Sequence, residues 1–176
     1  TVTFQAPHHI FVALSANTIN CNGGNTGTIT VNASGGTGTN TYTLQQANQS
    51  NQSNTTGIFT NLSANTYTIW AIDANGCSLS TTLAITQPNP IVVSVSTTPI
   101  SCNGNNSSIT ITATGGAGSY TGTGSFSNPA GNYTAVVTDA NTCSATKTYS
   151  ITQPNILAAT AIATPVICNG DSKIGR

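Results

Sequence analysis

Residues 67–77 read Tyr67-Thr68-Ile69-Trp70-Ala71-Ile72-Asp73-Ala74-Asn75-Gly76-Cys77, and residues 133–143 read Tyr133-Thr134-Ala135-Val136-Val137-Thr138-Asp139-Ala140-Asn141-Thr142-Cys143. Each stretch opens with β-branched and aromatic residues, closes on a turn cluster, and then presents a cysteine. Alternation of apolar with hydroxyl side chains is the pattern of a half-buried strand. The same alternation runs through Thr28-Ile29-Thr30-Val31-Asn32-Ala33 and Ser108-Ile109-Thr110-Ile111-Thr112-Ala113. Between such runs stand Cys21-Asn22-Gly23-Gly24 and Ser34-Gly35-Gly36-Thr37-Gly38, whose Gly and Asn supply the positive φ of tight turns. No amphipathic helical stretch stands out, so the chain reads as all-β.

Working outward, the two stretches prove to be parts of an internal repeat. Ile85-Thr86-Gln87-Pro88-Asn89 returns as Ile151-Thr152-Gln153-Pro154-Asn155, and Cys-Asn-Gly stands at 21–23, 102–104 and 168–170. Pro7 to Cys21, Pro88 to Cys102 and Pro154 to Cys168 are each 14 residues. The expected organisation is therefore two complete units, 8–88 and 89–154. They are flanked by the last strand of a preceding unit (1–7) and the start of a following one (155–176), as in a window on a longer array. The first unit is longer mainly through the polar tract 45–56, read as an extended hairpin loop. Six or seven short strands per unit match an Ig-like or fibronectin-like β-sandwich. The expected core is Phe11, Ile29, Val31, Leu44, Phe59, Tyr67, Ile69, Cys77 and Leu83 in the first unit. In the second it is Val92, Ile109, Ile111, Phe126, Tyr133, Val136, Cys143 and Tyr149. Pro88 and Pro90 stiffen the short linker between the units.

Five cysteines are an odd number, and the repeat accounts for it. Each unit holds one early and one late Cys, which suggests disulfides Cys21–Cys77 and Cys102–Cys143 inside the units. Cys168 is then an early Cys unpaired within this chain. Paired spacing without CxxC or clustered His points to an oxidising compartment rather than to free cytosolic thiols.

The chain carries 3 Lys+Arg and 3 Asp+Glu, while Thr, Asn and Ser make 72 of its 176 residues. Three scattered cations make no basic stripe, so nucleic acid is not an expected partner. No apolar run approaches the length of a membrane-spanning helix, so no membrane insertion is expected.

Catalytic constellations are missing, and no enzyme activity or cofactor is expected. Asp73 and Asp139, at equivalent turns, are the sole acids inside the complete units. One carboxylate per unit is thin for calcium, which takes 6–8 oxygens, so each is read as capping its own turn; no metal site is expected. His8-His9 falls in a linker position and points to opposite faces. Gly35-Gly36-Thr37-Gly38 lacks the helix and Lys of a phosphate cradle. Trp70 is read as core or inter-unit packing, with sugar stacking as the other option. Sequons such as Asn32, Asn61 and Asn132 follow from composition alone.

The order Cys-Asn-Gly, strand, Ala-x-Gly-Gly-x-Gly or its equivalent, Tyr-Thr, Asp-Ala-Asn-x-Cys, Ile-Thr-Gln-Pro resembles the SprB repeat. Cys21, Gly35, Gly36, Tyr67, Asp73, Cys77 and Gln87-Pro88 carry the likeness in the first unit. Cys102, Gly115, Gly116, Tyr133, Asp139, Cys143 and Gln153-Pro154 carry it in the second. Thr142 departs from the usual Gly before the late Cys, which bears on the turn type. The resemblance implies a secreted, cell-surface, filament-like adhesin of gliding Bacteroidetes-type bacteria, exported by type IX secretion. Its partners would be neighbouring repeats, other copies of itself, or polysaccharide and solid surfaces. The alternatives are a head-to-tail polymerising extracellular filament subunit, or a carbohydrate-binding module using Trp70, Tyr120 or the 45–56 loop.

Overall fold

The computed structural model describes residues 9–47 and 49–163. Among them there are twelve strands and no helix, and every strand pairing is antiparallel. Strands β1 (Phe11–Ala16), β2 (Gly27–Ser34), β3 (Thr41–Gln45), β4 (Gln52–Asn54), β5 (Ile58–Leu62), β6 (Asn65–Ile72) and β7 (Ser78–Ile85) build a first sandwich. One sheet runs β1-β2-β5 and the other β4-β3-β6-β7. Strands β8 (Val92–Thr97), β9 (Ser107–Thr114), β10 (Gly124–Asn128), β11 (Gly131–Thr138) and β12 (Ser144–Ile151) build a second, with sheets β10-β9-β8 and β11-β12. This is the expected all-β, two-sheet architecture.

Period-two alternation puts one face of the longer strands inside. Ile29, Val31, Leu44, Phe59, Tyr67 and Ile69 are buried with Ile19, Tyr42, Leu62, Ala71 and Ile85 in the first core. Val93, Ile100, Ile109, Ile111, Ala135, Val137 and Ile151 make the second, with Tyr133 and Tyr149 stacked at its flank, 5.6 Å between centroids. Tyr67 Oη donates to the Ser63 carbonyl (2.9 Å) and Tyr133 Oη to that of Pro129 (3.0 Å). Each phenol thus ties its strand to the preceding turn.

Four expected core residues sit on the wrong face. Phe11 is 68% exposed, and Val92, Phe126 and Val136 are exposed too. Their neighbours Val12, Val93 and Val137 point inward instead. In β1, β8 and β11 both phases of the strand carry apolar side chains, so the cross-strand partner fixes the register: Val93 lies opposite Ala113 and Val95 opposite Ile111. Phe126, between Ser125 and Ser127, is the lone apolar side chain of β10 and still faces outward. Cys77 is exposed rather than core.

Antiparallel alternation gives each sandwich two poles. Let the proximal pole be where its first strand begins. Counting strands, β1, β3, β5 and β7 run away from that pole and β2, β4 and β6 run back. The Cys21 turn follows β1 and lies at the distal pole, where the Ile19 N–H meets the Thr86 carbonyl (3.0 Å). The Cys77 turn joins β6 to β7 and lies at the proximal pole, where the Ala74 N–H meets the Thr37 carbonyl (2.9 Å). The second sandwich repeats this, with Cys102 distal and Cys143 proximal. The partial unit expected over 1–7 lies outside the described residues. Of that expected over 155–176, the described part 155–163 forms no strand.

Candidate functional site

The two sandwiches meet distal pole to proximal pole, and Cys21, Asp139 and Cys143 converge at this joint. Four elements build it: the Cys21 turn, the linker Gln87–Ile91, the Gly115-Gly116 loop and the β11–β12 turn.

The Cys21 turn holds the departing linker. With Gly23 at φ 76°, its N–H reaches Gln87 Oε1 (2.7 Å), while Asn22 Nδ2 donates to the Pro88 carbonyl (3.0 Å). On the far side the Gly116 N–H donates to the Asn89 carbonyl (2.8 Å). A Cβ on Gly115 would run into the Pro90 carbonyl, so glycine is required for the linker to pass. The linker is thus gripped from both sandwiches by backbone and amide groups, none of them charged.

The β11–β12 turn is organised by Asp139. Its Oδ1 accepts from the N–H groups of Asn141 (2.9 Å) and Cys143 (2.9 Å), and its Oδ2 from Ala117 (2.9 Å). Asp73 does the same in the first sandwich with Asn75 (3.0 Å), Cys77 (2.8 Å) and Thr37 (2.9 Å). Both carboxylates are buried, and both pKa values lie below the ordinary aspartate value. The Thr37 N–H is the largest influence at Asp73 and the Ala117 N–H at Asp139; burial opposes, and the turn N–H groups add to the lowering. Each carboxylate therefore spends its acceptor capacity on three backbone donors, binding its hairpin turn to the Gly-Gly loop. Among the described residues no group of three His, Cys, Asp or Glu gathers into a metal set.

So held, the late cysteine of the second sandwich faces the early cysteine of the first. Cys21 and Cys143 form a disulfide with Cα atoms 5.6 Å apart and a sequence separation of 122. Asn141 Nδ2 adds a hydrogen bond to the Asn20 carbonyl (3.1 Å). This corrects the expected pairing. Cys21–Cys77 and Cys102–Cys143 do not form, and Cys77 and Cys102 are exposed free thiols. The reason is polarity. Early and late cysteines of one unit sit at opposite poles, separated by strands up to eight residues long, roughly 20 Å or more at about 3.3 Å per residue. A disulfide needs Cα atoms within about 7 Å. The signal was present in the strand count: the early Cys follows the first strand and the late Cys the sixth, so the two cannot share a pole. Cys168 lies outside the described residues.

The remaining candidates separate. Trp70 lies on the outer face of β6, 38% exposed, across from Thr43 and Ser80, not in the core or the joint. Tyr120 packs against the second core and its hydroxyl donates to the Gly115 carbonyl, so its ring is structural. The 45–56 tract forms the end of β3 and the hairpin to β4. His9 is exposed at the start of the first sandwich, and His8 lies outside the described residues.

Residues 15–49 and 94–121 match the SprB repeat family model. Two regions of the chain are thus similar to the SprB repeat. Each match runs from within the first strand of a sandwich through the Cys-Asn-Gly turn, the second strand and the Gly-Gly loop, the first continuing past β3. It therefore takes in both loops that grip the linker in this joint. No curated protein matches the chain.

Proposed function

We propose that this chain is a non-enzymatic, load-bearing segment of a long secreted cell-surface adhesin, of the kind that gliding bacteria export by type IX secretion. The observation that carries the reading is the covalent joint between two SprB-type sandwiches. Tension applied beyond Cys21 and Cys143 passes through their disulfide, so the 22–142 loop, with most of both cores, is shielded from the load. A clamped linker and a cross-repeat bond suit a spacer that holds an adhesive tip away from the cell. Antibody against the chain is expected to label intact cells of the producing organism, with the label removed by external protease and with attachment lost on deletion. Label seen after lysis alone would overturn the reading.

A second reading, glycan binding, draws on the outward Trp70, which has Thr43 and Ser80 beside it. Glycan-array binding abolished by Trp70→Ala would favour it over the spacer role.

A further inference from the structure

The joint is asymmetric: its two halves are one sandwich's distal turn and the next sandwich's proximal turn. Each half also occurs a second time, with no mate among the described residues. The distal half recurs at Cys102. There the Gly104 N–H donates to Gln153 Oε1 (2.9 Å) and Asn103 Nδ2 to the Pro154 carbonyl (2.9 Å), matching Gly23 and Asn22 bond for bond. The proximal half recurs at Cys77, where Asp73 grips its turn as Asp139 grips that of Cys143.

The surfaces agree. A crevice of about 280 Å³ at the occupied joint has Cys21, Asn22, Pro88 and Asn89 on one wall and Gly116, Asp139 and Cys143 on the other. At the far end Cys102, Asn103, Pro154 and Asn155 form the first wall again, with no second wall among the described residues. Beyond it Ile156 and Leu157 are exposed. By the 66-residue offset of Asn155 from Asn89 they stand where Pro90 and Ile91 stand, and Ile91 packs against the second core.

We propose that Cys102 is a cross-linking site for the late cysteine of a following SprB-type repeat, and Cys77 for the early cysteine of a preceding one. Consecutive repeats would then be stapled by one rule: early cysteine of one to late cysteine of the next. The occupant is argued from the filled joint, which shows which turn faces Cys21, and from residues 155–157, which follow the Gln153-Pro154 pair held by the Cys102 turn as residues 89–91 follow the Gln87-Pro88 pair held by the Cys21 turn. Bond formation joins the two Sγ atoms and releases two protons and two electrons. A small-molecule disulfide such as oxidised glutathione takes them up and becomes two thiols. The inference rests on joint geometry and stands or falls apart from the adhesive role.

The test inserts a second copy of residues 89–154 after Pro154 of the full chain, in a Cys168→Ser background, and refolds it in a glutathione redox buffer. Non-reducing peptide mapping is expected to find Cys21–Cys143 together with Cys102 bonded to the late cysteine of the inserted copy, and Cys77 still open to alkylation. Cys21–Cys143 doubles as the folding control. If it forms while Cys102 stays fully alkylatable, or pairs with the inserted early cysteine, the proposal is overturned. Should the insertion not fold, point variants of the unextended chain answer instead. Cys77→Ser and Cys102→Ser chains, both with Cys168→Ser, are mixed in the same buffer. Heterodimers linked Cys102–Cys77, in excess of the statistical half of all dimers, support the rule. Homodimers and heterodimers at 1:2:1, or no cross-linking, overturn it.

Discussion

The two sandwiches agree at their poles and differ along one flank. The first carries the β3–β4 hairpin beside β6, making a four-stranded sheet. In the second a single bridge, Thr121 with Thr138, replaces it, and β11 and β12 stand as a two-stranded sheet. At the poles, by contrast, the hydrogen bonds of the Asn-Gly turns and of the aspartate turns recur with the same partners. A strand at the flank of a sandwich can be shortened if the sheets still cover the core. A polar turn cannot move, because the next unit docks on it. The joint, more than the sandwich, is what the two units hold in common.

The largest effect should separate the joint cysteines from the free ones. In the chain-entropy model a bond closing a loop of 122 residues is worth about 4–5 kcal/mol. Cys21→Ser and Cys143→Ser should each lower stability by an amount of that order. Cys77→Ser and Cys102→Ser should stay within about 0.5 kcal/mol, as exposed substitutions do. Pairing inside the units would make all four costly, so urea denaturation of the four variants decides. Pulled from its ends until both sandwiches unfold, the reduced chain should also show about 430 Å more contour length than the oxidised chain, at roughly 3.6 Å per released residue.

A second contrast tests the inward face of β11. Val137→Ala should cost about 2 kcal/mol through a core cavity, while Val136→Ala, on the outer face, should be nearly neutral. Sequence alternation revealed strands, turns and the repeat because those signals are local. It left the phase of β8 and β11 open, since Val92-Val93 and Val136-Val137 put an apolar side chain on each face. The disulfide partner was hidden differently. Spacing says that two cysteines recur, and strand parity alone says at which pole each one sits. The turn aspartates were legible as caps of their own turns, because a lone acid in a hairpin has that turn as nearest donor, but their third donor, Thr37 or Ala117, comes from a loop distant in sequence and was not.

Those aspartates compare the sandwiches at the proximal turns. Asp73→Ala and Asp139→Ala should each lower Tm by several degrees, because three backbone donors lose their acceptor. Asp139→Ala should also slow Cys21–Cys143 formation, whereas Asp73→Ala should leave that bond alone. Both folded pKa values are lowered, so the stabilisation is complete above the ordinary aspartate value near 3.8 and is lost as pH falls below it through the folded values. Acid melting of the wild type that shows no such loss below that value would contradict the capping role.

The smallest contrast concerns one residue of these same turns. Gly76 has φ 84° and Thr142 has φ 65°, so both turns use the left-handed region although the second has a β-branched residue there. The departure at Thr142 leaves the turn type unchanged: the Thr142 N–H donates to the Asp139 carbonyl (3.1 Å) as the Gly76 N–H does to that of Asp73 (3.0 Å). Left-handed φ costs a non-glycine residue about 1–2 kcal/mol, partly offset by the greater freedom of glycine in the unfolded chain. Thr142→Gly should therefore stabilise the second sandwich by about 1 kcal/mol or slightly less. Gly76→Thr should destabilise the first by a similar amount, because a Cβ there meets nothing within 4 Å and strain alone is added. Equal and opposite shifts would show that the aspartate cap, not the residue before the cysteine, dictates the turn. A stabilising Gly76→Thr would instead mean that the two turns differ in a way their hydrogen bonds do not reveal.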